Sequence, residues 1–326
     1  MSIDRRSLII GSLAAGLAAR AGAVPPPGPL LPEPDAWLDL WPDGPQGRLP
    51  SPLPVEEVRE RSTDPSYNDR AVFHVRRPRL AIFRPARPNG ASALIAPGGS
   101  YARVVMDKEG FETARWLAAR GVTAFVLFYR LALDHWFLES SVSLSDAQRA
   151  IRLVRADAAS RGRDPARTLM LGFSAGGHVA ADLSVRHDAA IYAPVDAADR
   201  HTARPDATAL LYPVILMGGP GTHFESRDNL LGPEATEVDE QVHTPSTNVT
   251  AATPPCFLVH AEDDPVVPVA NTLAMRDELR IHDVPAETHL FQDGGHGFGI
   301  RLAQGHPVAI WPELMWAWGR TRRLWP

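Results

Sequence analysis

A serine flanked by glycines, Ser174 in the segment GFSAG, is the first residue whose surroundings suggest chemistry. The apolar run RTLMLGF at 167–173 ends just before it, and the helical pattern HVAADLSVRH follows at 178–187. The spacing G-x-S-x-G between a strand and a helix is typical of a sharp turn that exposes a nucleophilic hydroxyl. The amide of Ala175, near the start of that helix, would then face an oxyanion. Taken alone, the segment also fits a turn whose serine only caps the helix.

A carboxylate and an imidazole follow two later predicted strands. The strand ending in VHA runs into Asp263 and Asp264, and the segment FQDGGHGFG at 291–299 places His296 among four glycines. An imidazole on such a loop can take the proton of a serine, and a carboxylate can orient the imidazole and stabilise its cation. Spacing alone does not choose between the two aspartates, and acids also favour helix N-termini without any chemistry. The pattern predicts a serine, an aspartate and a histidine that act together.

The segment APGGSY at 96–101 directly follows an earlier predicted strand. A glycine-rich turn at this place can present a backbone N–H to the same oxyanion, alongside the amide of Ala175. An ordinary turn is the alternative interpretation. We expect Gly99 or Ser100 to donate this second amide.

These segments lie within an alternation of strands and helices. The alternation predicts an α/β fold with a mainly parallel sheet and helices on both faces. Ser145 and Gln148 are spaced as a capping box at the start of one helix. Residues 190–254 hold one more apolar run and are otherwise polar, so we expect one strand and then a long insertion. The predicted strands are 92–97, 122–131, 167–173, 255–261 and 286–292, and the predicted helices are 110–121, 145–162, 178–187, 269–282 and 311–325.

The first residues have the pattern of an export signal. Arg5 and Arg6 precede a short apolar stretch, and Ala21-Gly22-Ala23 fits an A-x-A cleavage site. We therefore expect residues 1–23 to be a twin-arginine signal that directs the protein to the periplasm. The apolar stretch is shorter than the roughly 20 residues of a membrane-spanning helix, so no stable membrane insertion is expected after signal removal.

Proline dominates residues 24–54, which begin VPPPGPLLPEP. Such a composition disfavours regular helices and strands, so this segment is predicted to be an arm on the surface. The alternating pattern starts after it, and residues 55–326 are predicted to form a single α/β domain.

The composition excludes several other classes of protein. The 326 residues are 44% hydrophobic and 22% charged, in the ordinary range for a folded globular chain. The formal charge of −5 is spread along the chain without a basic tract, so nucleic-acid binding is not expected. A single cysteine, Cys256, excludes an intrachain disulfide and a cysteine-built zinc site. No histidine pair has a metal-ligand spacing, and we predict neither a metal nor an organic cofactor.

The segments resemble the α/β-hydrolase superfamily, and within it bacterial carbohydrate esterases related to acetyl xylan and feruloyl esterases. The resemblance implies an α/β-hydrolase fold with Ser174 as nucleophile and His296 as base. It implies Asp264 as the acid, because the family's aspartate stands four residues before the proline of D-x-x-V-P, here Pro268. From about residue 90 to 300, the matching segments are APGGSY, EGFETARWLAARGVTAFVLFYRL, DAQRAIRLVR, GFSAGGHVAA, FLVHAEDDPVVP and GGHGFG.

Two departures from the family pattern bear on the site. Relatives usually carry a third glycine where this chain has Ser100, which leaves both Gly99 and Ser100 as candidates for the second amide. The loop THFESRDNLLG at 222–232 stands where relatives often have a glycine-serine pair after a histidine. This loop would border the acyl or sugar pocket, so the resemblance does not fix the substrate preference.

The predicted function is that of a serine esterase that hydrolyses short-chain acyl esters by a Ser-His-Asp acyl-enzyme mechanism. The expected substrates are small-molecule or oligosaccharide esters, with acetyl esters of carbohydrates foremost. A peptidase or lactonase on the same fold, and a catalytically silent binding module, are the alternatives.

Overall fold

The computed structural model describes residues 33–45, 52, 54–136 and 139–326. The predicted export signal at 1–23 and parts of the predicted arm at 24–54 lie outside these residues. The strands are β1 (Ala36–Asp39), β2 (Glu57–Glu60), β3 (Arg70–Phe73), β4 (Arg79–Phe83), β5 (Ser92–Ala96), β6 (Val104–Val105), β7 (Thr123–Phe128), β8 (Thr168–Phe173), β9 (Ala207–Leu211), β10 (Cys256–Ala261) and β11 (Ala286–Phe291). The helices are α1 (Glu112–Ala118), α2 (Val142–Ser160), α3 (Ser174–Val185), α4 (Phe224–Leu231), α5 (Glu237–Val242), α6 (Ala270–Ile281) and α7 (Trp311–Thr321), with a π-helical turn at Met106–Phe111 before α1.

Eight strands form one sheet in the order β1-β4-β7-β5-β8-β9-β10-β11. From β7 to β11 in this order the strands run parallel, whereas β4 runs antiparallel to both of its neighbours, β1 and β7, near one edge. The predicted mainly parallel sheet of a single domain is confirmed. The strands β2, β3 and β6 form a small antiparallel sheet, which the sequence patterns did not indicate.

Helices cover both faces of the sheet. All residues of β5, β7, β8, β9 and β10 are buried, as their continuous apolar runs indicate. The chain crosses from β5 to β7 in one direction and returns to β8 in the other, so right-handed crossovers place α1 and α2 on opposite faces. α3 packs against α2, and α7 meets α1 through the rings of Trp116 and Trp316, whose centroids are 6.0 Å apart. The carboxyl ends of the parallel strands share one edge, where ligands gather in such sheets.

The proline-rich arm contributes a strand to this sheet. Residues Ala36–Asp39 form β1 and pair with β4 at the sheet edge, so the prediction that the arm has no regular element is wrong for these residues. An edge strand tolerates nearby prolines, because the amides on its outer side need no partner in the sheet.

Two helices begin earlier than the sequence suggested. α2 begins at Val142, and Ser145 is buried inside it, so the predicted capping box is wrong. Gln148 instead donates to the carbonyl oxygen of Arg186 at 3.0 Å. α3 begins at Ser174 itself. Within the described ranges, no helix is both long and apolar enough to cross a bilayer.

A buried ion pair joins the arm, the end of β7 and α2. The side chains of Arg130 and Asp146 are fully buried, with Nη2 of the arginine 2.7 Å from Oδ1 of the aspartate. Trp41 donates its indole N–H to the same oxygen at 2.8 Å. The backbone N–H of Arg130 donates to Oδ2 at 2.8 Å, so both carboxylate oxygens accept hydrogen bonds.

Replacing Asp146 with alanine leaves a buried guanidinium without this carboxylate. We expect Asp146→Ala to lower the free energy of unfolding by about 3–5 kcal/mol, the usual cost of breaking a buried ion pair. The double variant Arg130→Met/Asp146→Leu removes both charges and should recover a large part of this loss. Urea denaturation of the three proteins provides the measurement, and equal stability of the single and double variants would contradict the prediction.

Candidate active site

The turn between β8 and α3 holds Ser174 in a strained backbone conformation. Its φ is 52°, in the left-handed region, which costs on the order of 1 kcal/mol for a residue with a side chain. Gly176 allows the turn to lie against the end of β5, because a methyl group there would overlap the carbonyl oxygens of Ala96 and Pro97. The second glycine of G-x-S-x-G is therefore required by this backbone contact.

The structure brings Ser174, Asp264 and His296 together at the carboxyl ends of β8, β10 and β11. Nε2 of His296 lies 2.9 Å from Oγ of Ser174, and its Nδ1 lies 2.7 Å from Oδ2 of Asp264. The Asp264 side chain is fully buried, whereas the imidazole is partly exposed. In this geometry the imidazole can take the serine proton while the carboxylate fixes its tautomer.

A second histidine holds the carboxylate of Asp264. Nε2 of His260 lies 3.2 Å from Oδ2 of Asp264 and 2.9 Å from the carbonyl oxygen of Val267. Its Nδ1 lies 2.7 Å from the hydroxyl of Thr272. Because a carbonyl oxygen only accepts, we assign the proton to Nε2, and a neutral His260 then satisfies all three contacts.

The environment of Asp264 keeps this carboxylate ionised. Its Oδ1 accepts the backbone N–H groups of Val266 and Val267 at 2.8 and 2.9 Å. Burial by itself raises the pKa of Asp264, but hydrogen bonds from His260 and His296 outweigh it, and the pKa lies well below its usual range. A negative charge therefore stays beside the imidazole throughout the neutral pH range.

The neighbouring Asp263 makes a different contact. Its Oδ1 accepts the backbone N–H of Gly295 at 2.8 Å, so it holds the loop that precedes His296 and not the imidazole itself. Spacing left the two aspartates open, and the distances place Asp264 against the ring.

The loop after β5 has an unusual backbone. Gly99, Ser100 and Tyr101 take successive positive φ values of 135°, 55° and 60°. The backbone N–H groups of Gly99 and Ser100 have no hydrogen-bond partner among the residues that the structure describes. The amide of Ala175 lies in the first turn of α3, where N–H groups lack partners within the helix. Both candidate donors are thus available beside the amide of Ala175.

Two side chains from other elements hold this oxyanion loop, residues 97–101. The side-chain amide of Asn229, in α4, donates to the carbonyl oxygen of Ser100 at 2.7 Å. Glu109, in the π-helical turn, is buried and accepts the backbone N–H of Gly98 at 2.7 Å. The strained loop is therefore fixed by polar contacts from both sides.

Tyr212 connects the oxyanion loop to the histidine loop. Its hydroxyl donates to the second carboxylate oxygen of Glu109 at 3.1 Å and accepts the backbone N–H of Gly299 at 3.2 Å. Its ring packs edge-on against His296, with the centroids 5.0 Å apart. The position of the imidazole therefore depends on the same buried carboxylate as the oxyanion loop.

A buried histidine connects the oxyanion loop to α3. The hydroxyl of Tyr101 lies 2.5 Å from Nδ1 of His178, and Nε2 of His178 lies 2.7 Å from the carbonyl oxygen of His243. The carbonyl requires a proton on Nε2, so the tyrosine donates to Nδ1 and the ring is neutral. Burial lowers the pKa of His178 to about 3 and that of His243 to about 4.

Sequence reasoning missed four side chains that support this site. His260 had a signal, because it is a polar residue inside an apolar strand, four residues before Asp264. Tyr212 also had a signal, because it directly follows the strand β9, at the sheet edge where ligands gather. Glu109 and Asn229 had none, since they reach the site from helical segments.

The site opens to a small polar cavity. It has a volume of about 270 Å³ and is bordered by Ser174, His296 and the backbone of Gly99 and Ser100.

Within the described residues, no three His, Cys, Asp or Glu side chains are grouped as metal ligands would be. Cys256 is buried in β10, and burial raises the pKa of its thiol to about 12.

A family model described as BD-FAE matches residues 82–279, more than half of the chain. The chain belongs to the BD-FAE family. Among curated proteins it is similar to endo-1,4-β-xylanase B of Butyrivibrio fibrisolvens, with 34% identity over 207 residues, which cover 64% of this chain and 32% of that protein. It is also similar to an acetylxylan esterase of Xylanibacter ruminicola, with 28% identity over 225 residues, which cover 68% of this chain and 44% of that protein. The chain thus spans less than half the length of these two relatives.

Solved structures agree with this family and with the predicted fold. An acetyl ester-xyloside bifunctional hydrolase from Caldicellulosiruptor lactoaceticus has a TM-score of 0.73 and 30% identity, over 94% of this chain and 100% of that chain. A carboxylesterase, Cest-2923 of Lactobacillus plantarum, has a TM-score of 0.62 and 24% identity, over 84% and 99% of the two chains, and supports the fold alone. The predicted α/β-hydrolase fold and the predicted kinship with carbohydrate esterases are confirmed. The predicted class, a hydrolase of carboxylic esters, agrees with the names of the acetylxylan esterase and of the acetyl ester-xyloside hydrolase.

The buried histidines His178 and His243 predict how stability depends on pH. Their pKa values of about 3 and about 4 lie below the ordinary 6.5, so between these values the unfolded chain binds protons that the folded chain does not. Stability should be complete above pH 6.5 and fall by about 1.4 kcal/mol per pH unit and per histidine below it. Burial raises the pKa of Asp182 to about 6, which has the opposite sign below pH 6 and offsets part of the loss.

Urea denaturation between neutral and mildly acidic pH measures this effect. We expect the free energy of unfolding to decrease as the pH falls, and His178→Gln to reduce the slope, because glutamine does not titrate. His282→Gln, at an exposed histidine after α6, is the control and should keep the wild-type slope. A slope in His178→Gln that equals the wild-type slope would contradict the assignment of the effect to His178.

Proposed function

We propose that the chain is a serine esterase that hydrolyses short-chain acyl esters through an acyl-enzyme on Ser174. The observation that carries the proposal is the contact of His296 with both partners, 2.9 Å to the oxygen of Ser174 and 2.7 Å to that of Asp264. Two relatives support it, because an acetylxylan esterase and an acetyl ester-xyloside hydrolase are named for ester cleavage.

In the proposed reaction, Nε2 of His296 takes the proton of Ser174 while the serine oxygen attacks the ester carbonyl. The ionised Asp264 stabilises the imidazolium that forms. His296 then gives the proton to the leaving alcohol. The same imidazole takes a proton from a water molecule, which attacks the acyl-enzyme, and the imidazolium then returns this proton to the oxygen of Ser174 as the acid leaves.

The negative charge on the carbonyl oxygen would develop against backbone amides. In this proposal one amide is that of Ala175 and the other is that of Gly99 or Ser100, whose N–H groups have no other described partner. Loss of one such donor typically costs about 100- to 1,000-fold in kcat, so the loop conformation is a substantial part of the proposed machinery. The chain supplies every group in these steps, and no metal or organic cofactor takes part.

The proposed substrates are short acyl esters of carbohydrates, with acetyl esters foremost. A cavity of about 270 Å³ suits a short acyl chain, and its polar walls suit sugar hydroxyls. The xylan-related names of three relatives support a carbohydrate as the alcohol portion.

The twin-arginine pattern of residues 1–23 supports a further part of the proposal, export to the periplasm. An enzyme in that compartment would meet soluble oligosaccharide esters that enter the cell envelope.

Hydrolysis of p-nitrophenyl acetate, butyrate and octanoate tests the proposed activity. We expect kcat/KM to fall from the acetate to the octanoate, because the cavity is small. Ser174→Ala removes the nucleophile and should lower kcat by at least about 10⁴-fold. Ser160→Ala, at an exposed serine ending α2, is the matched control and should keep full activity. Turnover retained by Ser174→Ala would contradict the proposed acyl-enzyme mechanism. A folded wild type that is inert on all three esters would favour a binding module.

The contact of Asn229 with the oxyanion loop gives a second test. Asn229→Ala releases the carbonyl of Ser100, so we expect kcat for p-nitrophenyl acetate to fall about tenfold with little change in KM, as for a displaced oxyanion donor. Asn248→Ala is the matched control, because this asparagine also holds backbone carbonyls of the insertion but has no contact with the loop. An equal loss of kcat in both variants would assign the effect to the insertion's stability.

A further inference from the structure

Three basic side chains line the cavity beside the serine: Arg61, Arg103 and Lys108. The whole chain has a formal charge of −5, so this group of three cations contrasts with the net negative charge of the protein. The chain has 33 basic residues, and Lys108 is its only lysine. An amine that occurs once in 326 residues thus borders the proposed active site.

Arg103 and Lys108 have no counter-ion in the part of the chain that the structure describes. Neither forms an ion pair or a side-chain hydrogen bond there, although both are half-buried. Arg61 differs, because it pairs with Asp69 at 3.4 Å. The first two cations are therefore the ones available to a substrate.

Two carboxylates also line the cavity, but neither forms an ion pair with Arg103 or Lys108 among the described residues. Both oxygens of Glu109 already accept hydrogen bonds, from the N–H of Gly98 and the hydroxyl of Tyr212. Glu225 is exposed at the start of α4 and pairs with no cation among the described residues.

The two cations line the same cavity and contact different loops of the site. Arg103 follows the oxyanion loop, and its Cγ lies 2.8 Å from the position that a methyl group on Gly99 would take. Nζ of Lys108 lies 3.2 Å from the corresponding position on Gly297, the residue after His296. Because His296 protonates the leaving alcohol in the proposed reaction, Lys108 lies on the side of the alcohol portion.

We propose that Lys108, together with Arg103, binds a carboxylate on the alcohol portion of the ester, so that the preferred substrates are acyl esters of acidic sugars such as uronic acids. This inference rests on the proposed esterase function and names its substrate class. The ammonium group is a compact charge with three donors, and half-burial reduces its screening by salt. A carboxylate held there would orient the sugar with its acylated hydroxyl toward Ser174.

Two esters that differ in one charged group test this subsite: 3-carboxyphenyl acetate and 3-carbamoylphenyl acetate. We expect the ratio of their kcat/KM values in the wild type to favour the carboxylate. Lys108→Met and Arg103→Gln should each lower this ratio about fivefold, as for a partly exposed charge pair. Arg320→Gln is the matched control at an exposed arginine beside Asn89 and Arg167, at the opposite end of the sheet, and should leave the ratio unchanged.

Chemical modification gives the same comparison in the folded wild type, because Lys108 is the only lysine. Reductive methylation keeps the ammonium charge and should preserve the ratio, whereas acetylation removes the charge and should lower it. Acetylation also removes the charge of the N-terminal amine, so Lys108→Met treated with the same reagents is the control and should show no difference between the two treatments. A ratio that stays the same in Lys108→Met and after acetylation would overturn the anion subsite.

Binding to Ser174→Ala separates this inference from the proposed esterase function. If the wild type cleaves both esters with a ratio that Lys108→Met does not alter, the esterase stands and the subsite fails. If the wild type cleaves neither ester, the Kd values of both esters for Ser174→Ala and Ser174→Ala/Lys108→Met, measured by calorimetry, test the subsite independently of catalysis. Tighter binding of the carboxylate that is lost in the double variant supports the subsite, and equal Kd values for the two esters contradict it.

Discussion

The first turn of α3 crosses the end of β5 at a distance that leaves no room for a side chain at Gly176, where a methyl group would overlap the carbonyls of Ala96 and Pro97. Two residues earlier, Ser174 turns the chain with a φ of 52°, in the left-handed region. The contact brings the oxyanion loop, which begins at Pro97, beside that serine, so the nucleophile and the amide donors lie where α3 meets the end of β5.

Loops with several successive positive φ values need support from other elements, and polar side chains supply it. Glu109 holds Gly98 and, through Tyr212, the loop of His296, while Asn229 holds the carbonyl of Ser100. Each hydrogen bond contributes only about 0.5–1.5 kcal/mol, but an unsatisfied buried partner costs more, so the contacts stabilise one arrangement against the alternatives. The insertion that carries α4 therefore acts on the oxyanion loop through a specific contact.

The sequence predicted features that depend on neighbouring residues and missed contacts between residues that are far apart along the chain. The parallel sheet and the positions of Ser174 and His296 follow from short patterns of apolar, glycine and polar residues. The choice between Asp263 and Asp264 needed either a resemblance or coordinates, because adjacent aspartates differ only in direction. Glu109 could not be found, since its partner Tyr212 is 103 residues away along the chain. The strand β1 was hidden by the prolines around it, as its pairing with β4 is a long-range contact.

The π-helical turn at Met106–Phe111 holds three consecutive charged residues that make different contacts. Such a turn holds one residue more than a regular helical turn, which changes the directions of successive side chains. Asp107 is fully buried and pairs with Arg70 at 2.9 Å, which fixes the turn against β3. Glu109 is buried beneath the oxyanion loop, and Lys108 between them faces the cavity. Three consecutive charged residues thus have three different surroundings: Asp107 pairs with β3, Lys108 borders the cavity, and Glu109 holds the oxyanion loop.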